Sequence, residues 1–480
     1  MGLRPNVRVD VREALTLQEQ AGPGIVAIIG TSTWGPIESM QTLASFSQGL
    51  NVFKDDKDSS GATISLPKGL DLLYRDGAGV VLAVRVADTD AAKSDEVFDG
   101  NSGGEAAVLT FSGLYEGTYG DNIGVTITAD GATRTVEVTD GQLLEVYSNN
   151  GNGYTTNAAI AAAINGTSQL VSVAVKAGSE SANLVDAITQ TFLSGGDDGE
   201  DSLVAADYTD AFDNVLSNED FDILVIPGGD ALEALDSFHA TMVGKLNTRA
   251  STEDKFAIFM SGIGIDETIA TASARTASGA RLSLVAPNLK YTHRADGTEQ
   301  VFNGSYLACS YAARTASGLP HISPTHKTLN VEGVSVLQST GKEYYNNGEQ
   351  EQLLQNRIVP ITKIGTSIQA SRGVTRDADT SSIFYEVNIV RIVDYVKAQV
   401  FDKLNPFVGD PNLQRIRNIM AREVDGLLEQ DKLDEIIVAY NATDVAEGSS
   451  PDTVLVTMSI RPTFAINFIN VTLNISQVSE

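Results

Sequence analysis

The chain has 480 residues, 42% of them apolar, and no apolar run of about eighteen residues that would suggest a membrane-spanning helix. Its 62 acidic residues outnumber 33 basic ones, a formal net charge of −29, which disfavours nucleic acid as a partner because phosphate binding needs a concentrated basic face. A single cysteine, Cys309, excludes an internal disulfide framework and a cysteine-based zinc site.

The first residues carry no apolar core of a signal peptide, which points to synthesis in the cytoplasm. Val7, Val9 and Val11 alternate with Asn6, Arg8, Asp10 and Arg12, a short strand-like pattern. Residues 24–31 (GIVAIIGT) predict a buried strand, followed by a helical stretch near 37–50 and an acidic loop over 54–61. A helix is expected from Pro67 to Asp76 with Leu70 and Leu73 on one face. The nearly all-apolar run Val80–Val86 predicts a strand covered on both sides. Residues 101–200 change texture: Gly, Thr, Asn and Ser dominate, alternating runs recur, and one helical piece, Asn157–Asn165, interrupts them. We read this stretch as an inserted, mostly β domain.

Strand–helix alternation then resumes. Asp222–Ile226, Phe256–Met260 and Leu282–Ala286 read as strands. Asp230 and Glu233 suggest a capping box for a helix that buries Leu232, Leu235 and Met242, and Asp266 suggests the cap of another. This alternation predicts a doubly wound α/β core. A helix over about 386–404 carries Ile389, Val393, Val396, Val400 and Leu404 on one stripe. A second, with Asp410 as cap and Pro411 at its first position, carries Leu413, Ile416, Met420, Val424 and Leu427. Strands at 434–440 and 453–460 lead to the C-terminus, where Ile469, Val471, Leu473 and Ile475 alternate with Asn470, Thr472, Asn474 and Ser476. Two strand-like termini either fold back onto their own domain or pair with other chains; the alternation alone leaves both open.

Candidate chemistry is sparse. The stretch Gly30–Gly35 has the two glycines of a phosphate loop, but Pro36 stands where lysine is needed and Ile37 where a Ser or Thr is needed. His321 and His326 lack the spacing of a helical zinc pair, and His239 and His293 stand alone. Gly228-Gly229 fits a strand-to-helix turn. The acidic runs at 55–58 and 197–201 lack the ligand order of a calcium loop. Ser261 opens a glycine-rich strand end, Cys309 fits a core thiol, and no G-x-S-x-G elbow is present. No catalytic, cofactor or metal constellation emerges. Segment 387–422 departs from the overall charge, with Arg391, Lys397, Lys403, Arg415, Arg417 and Arg422 against Asp394, Asp402 and Asp410.

Several stretches together resemble the sheath proteins of contractile phage tails and related injection machines. They are GIVAIIGTSTWGP with the following VVLAVRV, the run 304–334 in which Ala308 and Tyr311–Thr315 carry the likeness, ASRGVTRD at 370–377, EVNIVRIVDYV at 386–396, and the terminal strands. The Tyr311–Thr315 run holds one extra alanine before Arg314. The resemblance covers roughly 1–90 and 200–480. It implies a non-enzymatic, mechanical subunit with the boundaries 1–23 (N-terminal strand arm), 24–100 and 201–380 (core), 101–200 (inserted outer domain), 381–461 (C-terminal inner domain) and 462–480 (C-terminal strand arm). It further implies a helical homo-oligomer around an inner tail tube protein, with baseplate and tail terminator proteins as neighbours, and with neither nucleic acid nor membrane insertion. The expected place is a virion tail sheath, assembled in the host cytoplasm. Arms carrying Val7, Val9, Val11, Ile469, Val471, Leu473 and Ile475 would join subunits, and Arg415, Arg422, Lys397 and Lys403 would face the tube. The sequence does not separate a virion from a bacteriocin-like injection device. An α/β enzyme with an appended β domain, or a surface-lattice protein, are the readings from other classes.

Overall fold

The computed structural model describes residues 24–54, 64–100, 104–228, 235–292, 297–379 and 381–469. The described chain begins with β1 (Val26–Gly30), β2 (Gln41–Leu43), α1 (Phe46–Phe53), α2 (Ser65–Arg75) and β3 (Val81–Arg85). Next come β4 (Asp95–Gly100), β5 (Glu105–Gly113), β6 (Gly124–Asp130), β7 (Thr133–Thr139), β8 (Leu144–Tyr147), α3 (Asn157–Asn165), β9 (Val171–Val175) and β10 (Ile188–Phe192). The middle holds α4 (Ala205–Ala211), β11 (Ile223–Val225), α5 (Leu235–Thr252), β12 (Ile258–Gly262), α6 (Ile269–Ser273), β13 (Leu282–Ala286), β14 (Asn288–Thr292), β15 (Glu299–Phe302), α7 (Gly304–Ala316) and β16 (Gly333–Ser335). The chain closes with α8 (Asn347–Gln355), β17 (Ile358–Ile364), β18 (Ser367–Ala370), α9 (Val387–Leu404), α10 (Gln414–Leu433), β19 (Ile437–Glu447) and β20 (Val454–Pro462).

Eight strands make one sheet in the order β18-β17-β13-β12-β11-β1-β3-β2, parallel from β17 to β3 and antiparallel at both edges. Because side chains alternate along a strand, the parallel strands are apolar on both faces. Val26 and Ile28 join one hydrophobic cluster with Leu66, Leu70 and Leu73 of α2 and Leu307 of α7. Ala27 and Ile29 join the other, with Phe238, Met242 and Leu246 of α5. The central helix α7 lies so close that a Cβ on Gly262 would sit 1.9 Å from the Gly304 carbonyl carbon. Only glycine permits that approach.

The β-rich unit has two antiparallel sheets, β4-β5-β9 and β10-β6-β7-β8, around a core of its own. Its pairing starts at Asp95, ahead of the composition change at 101. The unit is bolted to the main sheet. Trp34, from the turn after β1, is 2% exposed and stacks edge-on against Tyr115 at 5.5 Å. Arg85, wholly buried at the end of β3, donates to the carbonyls of Gly35 (2.8 Å) and Glu116 (2.7 Å).

At the C-terminus, α9 and α10 pack on the β19–β20 hairpin through Ile389, Val396, Val424, Leu428 and Ile437. The hairpin is a two-stranded sheet, with no further strand on either edge among the described residues.

Several expectations are corrected. The stretch 37–50 is an edge strand followed by a helix that starts one residue after Ser45, whose hydroxyl accepts from the Gln48 amide. Asp266 caps no helix. It sits at φ 51° and accepts from the Gln338 amide at 2.9 Å, while Thr268 caps α6. Asp410 and Pro411 precede α10, which begins at Gln414 without a side-chain cap. The strand expected at 434–440 runs over Ile437–Glu447 instead. The capping box at Asp230 and Glu233 lies outside the described residues.

Candidate assembly surfaces

The places where an active site would be sought are filled by the chain itself. At the glycine loop after β1, the Thr31 carbonyl accepts from the Leu66 amide (2.9 Å), and the Thr31 hydroxyl accepts from the Ser65 amide (3.2 Å). The N-terminus of α2, where a phosphate would sit, is thus already occupied. Ser261 and His239 form a buried pair, Oγ to Nε2 at 2.9 Å, resembling two members of a hydrolase triad. Behind the imidazole stands the Arg275 guanidinium, 3.4 Å from Nδ1, where a triad needs a carboxylate. Burial first, and Arg275 second, push the imidazole down to about 3. An imidazole so reluctant to take a proton cannot serve as a general base near neutral pH. Asp198 spends its carboxylate on the amide and hydroxyl of Thr118 (2.7 and 2.9 Å). Among the described residues, no group of three His, Cys, Asp or Glu is placed to hold a metal ion. Cys309 is buried in α7.

The joint between the main sheet and α9 holds a cleft of about 430 Å³ lined by charges with internal duties. Arg391 donates to the carbonyls of Thr315 (2.7 Å) and Gly318 (2.9 Å), Asp222 accepts from the Ile25 amide (2.8 Å), and Asp394 pairs with Arg281. Burial pushes the carboxyls of Asp222 and Asp394 up and the Arg391 guanidinium down. These groups fasten one body to another.

The basic segment divides accordingly. Arg391 and Arg417 are buried, the latter ion-paired with Glu447 at 3.1 Å, so neither contributes to a surface. Lys397, Lys403, Arg415 and Arg422 are exposed. Lys397 lies 5.4 Å from the Phe256 ring centre. Arg415 stands in the first turn of α10, where the helix dipole disfavours a cation, with no hydrogen bond or ion pair among the described residues. Arg422, seven positions on, shares its face.

Half of the described chain's twenty exposed large hydrophobic residues fall between 401 and 469. Exposed apolar side chains are thus concentrated in the C-terminal unit. Phe464, Ile466, Phe468 and Ile469 are among them, at 46%, 82%, 76% and 80% exposure. Val7, Val9, Val11, Val471, Leu473 and Ile475 lie outside the described residues.

Residues 379–476 match the phage tail sheath C-terminal domain family. In sequence, this segment is similar to that domain. The remainder carries the sheath fold as well. The sheath tail protein of Listeria innocua aligns at 18% identity over 92% of each chain, with a TM-score of 0.67. That of Desulfitobacterium hafniense aligns at 15% identity over 96% of this chain and 100% of its own, at 0.65. The helical sheath of the anti-feeding prophage in its contracted state aligns at 13% identity over 98% of both, at 0.55. No curated protein matches the chain in sequence.

Proposed function

We propose that this chain is the structural subunit of a contractile sheath, polymerising helically around an inner tube and contracting to drive that tube through a cell envelope. The observation that carries the reading is the sheath-family C-terminal domain with an unpaired two-stranded hairpin and a strand-like arm beyond it. Each edge of the hairpin offers a row of unpaired backbone donors and acceptors that another chain can complete. Residues bearing Val7, Val9 and Val11 from one neighbour, and Ile469, Val471, Leu473 and Ile475 from another, supply suitable strands.

Nineteen extended residues reach on the order of 60 Å, enough to cross to a second subunit. Burying the four apolar side chains of the C-terminal arm contributes roughly 6–12 kcal/mol before ordering costs. Such a mesh survives while the doubly wound core turns as a rigid body. Head-to-tail contacts that do not close generate the helix. Lys397, Lys403, Arg415 and Arg422 face the tube in the extended state, held by weak exposed contacts that contraction can break together. The β-rich unit lies on the outer surface, and baseplate and terminator proteins meet the two ends of the polymer. Contraction is a downhill repacking and uses no cofactor. The likeness to both phage and injection-system sheaths leaves a virion tail and a free injection device as equal settings, each assembled in the host cytoplasm. Negative-stain microscopy of the purified chain tests the reading: helical tubes of uniform diameter are expected, and a monomer at all concentrations, with both termini paired internally, refutes it.

A further inference from the structure

We propose that residues 463–468, the root of the C-terminal arm, form a second inter-subunit contact that buries Phe464, Ile466 and Phe468 against another copy of this chain, separately from strand addition by the tip. The inference rests on the sheath reading and deepens it.

From 454 to 468 every even position is apolar: Val454, Val456, Met458, Ile460, Pro462, Phe464, Ile466 and Phe468. A stripe of that period specifies one continuous half-buried strand. The isolated subunit uses only its first part. Within β20 the even side turns inward on α9 and α10, and the exposed positions are Leu455, Thr457, Ser459 and Arg461. After Pro462 strand pairing stops and exposure changes parity, so that Phe464, Ile466 and Phe468 face solvent while Thr463, Ala465 and Asn467 are half-buried.

The polar side of the root is anchored. The Thr463 hydroxyl donates to the Glu435 carbonyl (2.7 Å), and the Asn467 amide donates to Glu386 (2.6 Å), a carboxylate also held by Arg372 (2.8 Å). The anchor fixes which side faces out, and the outward side carries three large hydrophobic groups within five residues.

What covers them follows from charge and continuity. No ionisable side chain occurs from Pro462 to Ser479, in a chain of net charge −29. Two like-charged copies meet at least cost through such a neutral strip, whereas a partner chosen by charge would find nothing to read there. Eleven residues follow Ile469, and over 469–475 the apolar positions, 469, 471, 473 and 475, are odd. A change of parity puts root and tip on opposite faces of an extended chain. For a chain that continues extended, strand addition by the tip leaves the apolar side of the root to a surface of its own on a neighbour.

The chain's only native thiol, Cys309, is fully buried and gives a silent background. Ile466→Cys and Phe468→Cys would be labelled with a soluble maleimide, once as dilute subunits and once as assembled tubes, with Asn149→Cys on an exposed turn reporting general access. Labelling at 466 and 468 is expected to slow about tenfold or more on assembly while Asn149→Cys changes little. Ile466→Asp should abolish tubes without altering the thermal transition of the subunit. Equal labelling in both states, slow labelling already in the dilute subunit, or normal tubes from Ile466→Asp would each overturn the second contact alone. A wild-type chain that never assembles overturns the sheath reading and the inference with it.

Discussion

Arg281 and Asp394 meet through two parallel bonds of 2.8 Å each, joining the strand β13 side of the main sheet to the middle of α9. The arginine also donates to the Ala257 carbonyl at 3.0 Å. Both side chains are largely shielded from solvent, at 11% and 13% exposure, so the pair works as a rivet between the core and the C-terminal unit.

Removing one partner leaves the other charge shielded and alone. Arg281→Ala should cost about 3–5 kcal/mol, whereas Arg281→Met with Asp394→Leu should recover most of it. Urea denaturation of the two variants, with proteolysis of the α8–α9 region as a second readout, checks the ordering. Equal losses would show that the pair contributes nothing beyond its packing.

Trp34 performs the same office for the β-rich unit. Trp34→Ala removes the ring that lies between β1 and Tyr115 and should cost about 3–5 kcal/mol. The expected signature is new cleavage near residues 87–93 and 197–203, the two crossings between the bodies, with the main sheet still folded.

Asp431, 2% exposed on α10, titrates high: burial, with Asp434 adding to it, pushes its carboxyl up to about 6. With its amide turned to suit both neighbours, the Gln399 nitrogen lies 3.1 Å from each carboxylate oxygen. The folded state thus holds this proton more tightly than the unfolded state. Stability from this group is greatest below the ordinary aspartate range and is lost as pH rises through about 6. Asp431→Asn should raise stability at pH 7.5 by about 1 kcal/mol and flatten the difference between pH 4.5 and 7.5, as read from urea midpoints. Other carboxylates of this acidic chain shift in the same direction, so the comparison with wild type carries the result.

Charge reversal at Arg415 and Arg422 should leave the subunit's stability within about 0.5 kcal/mol, since both are exposed and without ion pairs among the described residues. Tubes made of sheath alone should form normally. Co-assembly with the inner tube protein should fail, as seen by co-sedimentation. Retained co-assembly would place the tube contact elsewhere.

The sequence shows the parallel strands plainly because burial on both faces leaves unbroken apolar runs such as VVLAVRV. Asn157–Asn165 is equally plain, since Thr156 caps it at its start. Helix starts set by tertiary context were hidden. Asp410 and Pro411 have the chemistry of a helix start, yet the hydrogen bond between the Leu413 amide and the Pro411 carbonyl (2.7 Å) keeps the turn open until Gln414. The +3 of segment 387–422 overstated its surface, because spacing does not reveal that Arg391 reaches the carbonyls behind α7 or that Arg417 turns back to Glu447. The even stripe through Phe468 is legible in the sequence but is masked by the stronger odd alternation that starts at Ile469. Nothing local marks the Ser261–His239 pair, which two separate elements bring together.

The central claim is that subunits are joined by an arm exchanged between them. Truncation of residues 463–480, followed by sedimentation velocity and electron microscopy beside the full chain, tests it most directly. The account predicts a folded, soluble truncated subunit with an unchanged main thermal transition that stays monomeric where the full chain forms tubes. Tubes of normal diameter from the truncated chain, or loss of its fold, would contradict it.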